Sequence, residues 1–234
     1  MSTLTTAPVA PLLERLFAEA AATSPATTPS VAEYWSGLTA EDKSRIIGSR
    51  TEYLEFYGRM KDIPLAVSRE TGALLYMLAR STGATAIVEF GTSFGISTLH
   101  LAAALRDNGG GLLVTTEFEP SKVARARANL ATAGLADLVE VREGDALETL
   151  AADLPSRIDL LVLDGAKGLY RDVLDLVEGR LRPGALIVAD NADKCPDYMQ
   201  RVGSSDRGYM SLSFADDVEV SMRLGRTSQD EARA

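Results

Sequence analysis

Cysteine and histidine are almost missing from this chain: Cys195 and His100 are the only ones among 234 residues. A single cysteine excludes intrachain disulfides and cysteine-clustered metal sites, so a reduced, cytoplasmic setting is the expectation. No basic segment followed by an apolar stretch opens the sequence, and no apolar run approaches membrane-spanning length. Neither a signal peptide nor a membrane partner is therefore expected. Basic residues are also in the minority, 24 against 33 acidic ones, for a net charge of -9. No Lys/Arg run breaks that balance, so a nucleic-acid partner, whose phosphates need a basic footprint, is not expected either. With 46% hydrophobic and 24% charged residues, the composition is that of a globular protein with one sizeable core.

What is present is a regular alternation. Short apolar runs at 85–90, 112–116, 138–142, 158–163 and 185–189 read as buried strands. Helix-patterned segments at 96–106, 121–133, 146–153, 170–179 and 196–202 follow them in turn. Repeated strand–helix units predict an α/β fold, a Rossmann-like doubly wound sheet that is mostly parallel. Segments 208–214 and 218–224, split by Ala215-Asp216-Asp217, predict an antiparallel hairpin at the C-terminal end. Residues 1–62 read as a helical N-terminal extension and 63–234 as the main domain. In the extension the first 30 or so residues read as a flexible lead, with helical character only over 12–22. A capping box, Thr39-Ala-Glu-Asp42, opens a helix that runs to about residue 58, and a further helix spans 65–81.

The first strand runs into a glycine loop, Val88-Glu-Phe-Gly-Thr-Ser-Phe-Gly95. Within it Gly-Thr-Ser93-Phe-Gly matches the nucleophile elbow of α/β-hydrolases, a motif that needs a histidine well downstream. The sole histidine lies one or two turns beyond Ser93 in the following helix, so the hydrolase reading is rejected. The dinucleotide fingerprint G-x-G-x-x-G fails too, for want of a second glycine at the required spacing. Glu117 closes the second strand, where a carboxylate can accept both hydroxyls of a ribose, and Gly144-Asp145-Ala146 closes the third, placed to meet an adenine. A glycine loop and a ribose carboxylate without the pyrophosphate fingerprint describe S-adenosylmethionine better than NAD.

Two further strands end in acid-type residues: Ile158–Leu163 leads to Asp164-Gly-Ala-Lys167, and 185–189 leads to Asp190-Asn191. Neighbouring strands would bring three oxygen donors and one lysine to the same sheet edge, a set that suits a hard divalent cation with a base beside it.

In their order and spacing, Val88-Glu-Phe-Gly91, Glu117, Ala133-Gly134-Leu135, Gly144-Asp145-Ala146-Leu147, Asp164-Gly-Ala-Lys167, Leu181-Arg-Pro-Gly184 and Asp190-Asn191 resemble one family. It is the class I S-adenosylmethionine-dependent O-methyltransferases of the catechol and caffeoyl-CoA type, and the resemblance runs from about 63 to 224. It implies that Val67 packs near the methionine end of the cofactor. Glu89, Gly91, Thr92 and Ser97 would meet the amino-acid portion, Glu117 the ribose, and Asp145 with Ala146 the adenine. Asp164, itself also a cofactor contact, would join Asp190 and Asn191 in holding a divalent cation, Mg²⁺ by preference, and Lys167 would be the catalytic base. A small, hydroxylated, catechol-like aromatic substrate and a homodimer are the implied partners.

The chain departs from the family in two places. The usual Asp-Ala-Asp-Lys or Asp-His-Trp-Lys segment is Asp-Gly-Ala-Lys here, which makes the wall formed by its central residues smaller or absent. The helical extension is also longer than in minimal members. On that extension Trp35, Tyr53, Tyr57 and Met60 either cover an aromatic substrate or serve helix packing or a dimer contact. Transfer without a metal, transfer to nitrogen, and cofactor binding without catalysis stand beside the leading reading.

Overall fold

Successive residues of a strand face opposite ways, and in the central strands both sets are apolar. Ile87 and Val88, Leu113 and Val114, and Leu160 and Leu161 are all buried. Strands of this kind need helices on both faces. The computed structural model, which describes residues 2–215 and 217–225, supplies them. Its strands are β1 (Ala86–Phe90), β2 (Leu112–Glu117), β3 (Val139–Glu143), β4 (Ile158–Leu163), β5 (Leu181–Ala189), β6 (Tyr209–Phe214) and β7 (Val218–Arg223). They form one sheet in the order β3-β2-β1-β4-β5-β7-β6. The first five are parallel, while β7 runs antiparallel to β5 and β6 antiparallel to β7. The expected doubly wound sheet with its C-terminal hairpin is borne out. Asp216, in the expected hairpin turn, and residues 226–234 of the expected domain lie outside the described residues.

The helices are α1 (Val9–Ala21), α2 (Pro29–Gly37), α3 (Ala40–Ile47), α4 (Tyr53–Arg59), α5 (Arg69–Ser81), α6 (Ile96–Asp107), α7 (Pro120–Ala133), α8 (Ala146–Thr149), α9 (Tyr170–Val177) and α10 (Pro196–Val202). On one face of the sheet α5, α6 and α7 pack against Ile87, Leu113 and Leu160. On the other, α8, α9 and α10 pack against Val88, Val114 and Leu161. Each fully buried aliphatic side chain contributes about 1.5–3 kcal/mol, so these two layers dominate the stability.

The extension differs from its sequence reading. The helical character expected over 12–22 is present as α1, but in place of a flexible lead it buries Leu12, Leu13 and Leu16 in the same cluster as α5 and α6. Thr3 is tied to the Asp107 carboxylate at the end of α6 through its amide, 3.0 Å, and its hydroxyl, 2.5 Å. Pro29 opens α2, and proline is well suited to a first helical position. The capping box at Thr39 is present, but the single helix expected from it is two, α3 and α4. At the break the Ser49 hydroxyl accepts the Glu52 amide at 3.1 Å, offering the backbone a partner that competes with helix continuation. The broken segment also lies against Gly168, where a Cβ would stand 2.6 Å from the Gly48 carbonyl oxygen. The helix expected from 65 starts at Arg69 instead, because the Ser68 hydroxyl caps it by accepting the Thr71 amide at 3.0 Å. Val31, Ile46, Phe56, Met60 and Ile63 form a third cluster that holds α2, α3 and α4 together.

Strand order reverses between β1 and β4, and in open α/β sheets ligands bind outside the carboxyl ends at such a switch.

Candidate active site

At the switch the two strands leave the sheet side by side. The Asp164 amide donates to the Phe90 carbonyl at 2.8 Å. Gly91 has a φ of 105°, in the region that favours glycine. From there the loop passes through Ser93 and enters α6 at Gly95. The Ser93 amide donates to Glu117 Oε2 at 2.9 Å, and its hydroxyl accepts the Leu65 amide at 3.2 Å. The other Glu117 oxygen accepts the Glu119 amide at 3.0 Å. Two backbone donors thus fix this carboxylate, and each oxygen keeps a lone pair for a ligand hydroxyl.

Glu89 lies beneath the loop and is fully buried. Its Oε2 accepts the hydroxyls of Thr98, 2.6 Å, and Thr115, 2.7 Å, while Oε1 has no partner among the described residues. Burial pushes this carboxyl above its ordinary pKa. A buried carboxylate oxygen without a donor is the complement of a ligand ammonium.

The expected residues fall into three adjoining spaces. Gly91, Glu117, Ala146 and Asp164 line one cavity. Val67, Thr92 and Ser97 line a small cleft next to it. Asp164, Lys167, Asp190 and Asn191 line a wider groove that Val67 also borders. Asp145 stands just behind the first cavity, with Oδ1 accepting the Leu147 amide at 2.7 Å and Oδ2 the Tyr53 hydroxyl at 3.1 Å.

Along the groove Lys167 Nζ donates to Asp164 Oδ1 at 3.2 Å and to the Tyr170 hydroxyl at 2.7 Å. That hydroxyl in turn donates to the Asp190 carbonyl at 2.8 Å. Burial alone would lower the Lys167 pKa, but Asp164, Tyr57 and Asp190 together outweigh it and hold the ammonium above its ordinary value. Asp190 is pushed up to about 7, first by burial and then by the Asp164 charge. Asn191 adopts a left-handed backbone, φ 50°, and its amide nitrogen donates to Asp217 Oδ2 at 3.2 Å. Among the described residues no three Asp, Glu, His or Cys side chains gather as a cation site. A cation beside Asp164 and Asp190 would therefore need the Asn191 amide oxygen as its third protein donor. Two crowded carboxyls and an amide suit a hard dication in kind.

Phe118 and Lys122 escaped the sequence reading, and both line the first cavity. Lys122 is buried on the first turn of α7, and its ammonium feels the through-space charges of Glu117, Glu119, Asp164 and Asp62. Burial lowers its pKa. The available signal was position, since the first turn after a ligand-bearing strand end overhangs the same crevice. His100 does serve helix packing: its Nδ1 bonds to the Ile96 carbonyl at 2.8 Å. Cys195 is buried, and burial pushes its thiol up to about 12, which leaves it inert.

Residues 88–192 match a family described as a methyltransferase domain. The chain is 37% identical to a catechol O-methyltransferase of Niastella koreensis over 130 residues, covering 54% of this chain and 58% of that one. It is 30% identical to catechol O-methyltransferase B of Danio rerio over 174 residues, covering 71% and 65%. The chain thus spans under two thirds of the length of these curated relatives. Among solved structures, an O-methyltransferase from Streptomyces achromogenes in complex with SAM aligns with a TM-score of 0.62 and 29% identity, over 84% of this chain and 96% of that one. An O-methyltransferase from Bacillus cereus in complex with SAH, at 23% identity and a TM-score of 0.64, over 86% and 100%, shares the fold. These matches bear out the resemblance read from the sequence.

Proposed function

We propose that this chain is an S-adenosylmethionine-dependent O-methyltransferase that acts on a hydroxyl of a small, catechol-like aromatic acceptor with the help of a divalent cation. The observation that carries this reading is the junction at Asp164, which borders both the cavity holding Glu117 and the groove holding Lys167, Asp190 and Asn191. S-adenosylmethionine supplies an electrophilic methyl on sulfur and leaves as the thioether. Glu117 would accept the ribose hydroxyls, and the free Glu89 oxygen would take the ammonium of the amino-acid end. Ser97 and Thr92, in the adjoining cleft, would face its carboxylate, and Val67 would pack beside its methylene chain.

Displacement on a methyl group depends on positioning and on the ionisation of the attacking oxygen. A free phenol has a pKa near ~10 and is mostly protonated at neutral pH. A dication held by Asp164, Asp190 and Asn191 would lower that pKa and fix the oxygen. Lys167 holds its proton in the ligand-free arrangement because it faces Asp164. A cation held on Asp164 would withdraw that support, so that Nζ would release its proton to solvent and, as the free amine, could take the acceptor's proton. A transfer without metal is the second reading, favoured by the direct Lys167–Asp164 ion pair, in which the ammonium already neutralises the carboxylate.

The test is methyl transfer from labelled S-adenosylmethionine to catechols, flavonoids and hydroxylated aromatic acids, with Mg²⁺ and with EDTA. Mg²⁺-dependent labelling of a vicinal diol is expected. Labelling undiminished by EDTA would leave the metal-free reading, and no labelling of any acceptor would overturn both.

A further inference from the structure

Tyr53 reaches the first cavity from α4, outside the residues that match the methyltransferase domain. It is buried, and its ring meets Phe118 edge to face, with centroids 6.1 Å apart and planes at 86°. Phe118 follows Glu117 directly at the end of β2. The Tyr53 hydroxyl donates to Asp145 Oδ2, just past the end of β3. One side chain of the extension therefore bridges two strand ends at the adenine side of the expected site. Gly165 and Ala166, whose side chains are small, line the same cavity. At Gly165 a Cβ would stand 2.4 Å from the Phe90 ring, so nothing larger fits there.

We propose that Tyr53 is a binding and specificity residue for the adenine ring of the cofactor. With Phe118 it supplies the aromatic wall that Gly165-Ala166 leaves low, and with Asp145 it forms the polar edge that reads the exocyclic amino group. The inference rests on the S-adenosylmethionine reading above. An ionised carboxylate only accepts hydrogen bonds, and each of its oxygens has two acceptor sites. Asp145 Oδ2 can therefore hold the Tyr53 hydroxyl and accept the adenine amino group together. The Tyr53 phenol, pushed up to about 12 by burial and the Asp145 charge, stays a donor at any working pH. A purine with a 6-carbonyl would set an acceptor against the carboxylate acceptor at this edge, a mismatch that a polar site penalises strongly.

α4 is held in place independently of any ligand. Arg50 at the preceding turn pairs with Asp172 at 2.7 Å, and Phe56 sits in the third cluster. The wall is thus formed before the cofactor arrives, which favours affinity by limiting the ordering that binding must bring about.

Calorimetric titration of S-adenosylhomocysteine and S-inosylhomocysteine into the wild type, Tyr53→Phe and Tyr53→Leu decides the matter. Loss of the ring in Tyr53→Leu should weaken S-adenosylhomocysteine binding about tenfold, the usual scale for base–aromatic contact. Tyr53→Phe keeps the ring, so it should retain most of the affinity while narrowing the adenosyl-over-inosyl preference. A ligand-free melt of each variant reports folding, and Tyr53→Phe still decides if Tyr53→Leu does not fold. Wild-type affinity and preference in Tyr53→Phe, or wild-type affinity in a folded Tyr53→Leu, would overturn the proposal. A wild type that binds neither nucleoside would instead sink the cofactor reading beneath it.

Discussion

Gly91 passes so close to Asp164 that a Cβ on it would stand 2.4 Å from the Asp164 carbonyl oxygen. The glycine loop and the acid-ended strand are in backbone contact, so the cofactor end and the groove end of the site cannot move independently. Gly91→Ala adds this overlap to a strained φ, and a loss of about 2–4 kcal/mol is expected. Urea unfolding should show it, and binding of S-adenosylhomocysteine should be lost with it.

Lys167 is buried between Asp164 and Tyr170. Lys167→Met should reduce kcat by about 10²–10³ while the Kd for S-adenosylhomocysteine stays near the wild-type value, since general acid–base groups contribute on that scale. Steady-state kinetics with calorimetry separates the two quantities. An unchanged kcat would remove Lys167 from the reaction.

At the opposite end of the sheet, Asp159 on β4 accepts the amides of Thr85 at 2.8 Å and Ala86 at 3.1 Å, and Arg182 Nε at 2.6 Å. These partners outweigh burial and hold its carboxyl below the ordinary value. The folded chain therefore binds this proton less readily than the unfolded chain. The resulting stability is present above about pH 4 and is lost as pH falls through the lower folded value. Asp159→Asn should cost about 1–3 kcal/mol at pH 7 and flatten the acid limb of a stability–pH curve, read as urea midpoints.

His100 acts in the same sense but at higher pH. Burial lowers its pKa, and the ring fills the space beside Gly72, where a Cβ would stand 2.8 Å from the ring. Below about pH 6.5 the unfolded chain takes up a proton that the folded one resists, so stability should fall with pH there. His100→Gln should lack this step when urea midpoints are compared between pH 7 and 5.5. A wild-type slope retained in the variant would assign the effect elsewhere.

α1 is held by apolar burial rather than by its charges. Leu16, 1% exposed, should cost about 2–4 kcal/mol on change to Ala. Glu14, whose ion pair with Arg69 is solvent-exposed, should give no resolvable change on the same substitution. Thermal melts of the two variants compare them directly.

The parallel strands were legible because their apolar runs are short and bounded by turn residues, and α6 and α7 because they close on Asn108 and Gly134. The C-terminal hairpin was legible for the same reason. The extension was not: the break between α3 and α4 at 48–52 lies against Gly168, more than a hundred residues away, and a capping box marks a start without marking a stop. The acid-ended strands and Glu117 could be placed at one edge from strand order alone. Tyr53 was visible only as an aromatic with several uses, since its partner Asp145 lies 92 positions further on. Glu89 was assigned to the cofactor, yet its position beneath the loop, with one oxygen left free, follows from the Thr98 and Thr115 hydroxyls that no local pattern connects to it.

The docking of α1 has a consequence for how the chain is made. Ribosomal synthesis delivers α1 before α5, α6 and α7, so its leucines wait, uncovered, until those helices have followed. α1 therefore reaches its place only after these later helices have left the exit tunnel, and a holding factor that shields exposed leucines would find them uncovered until then.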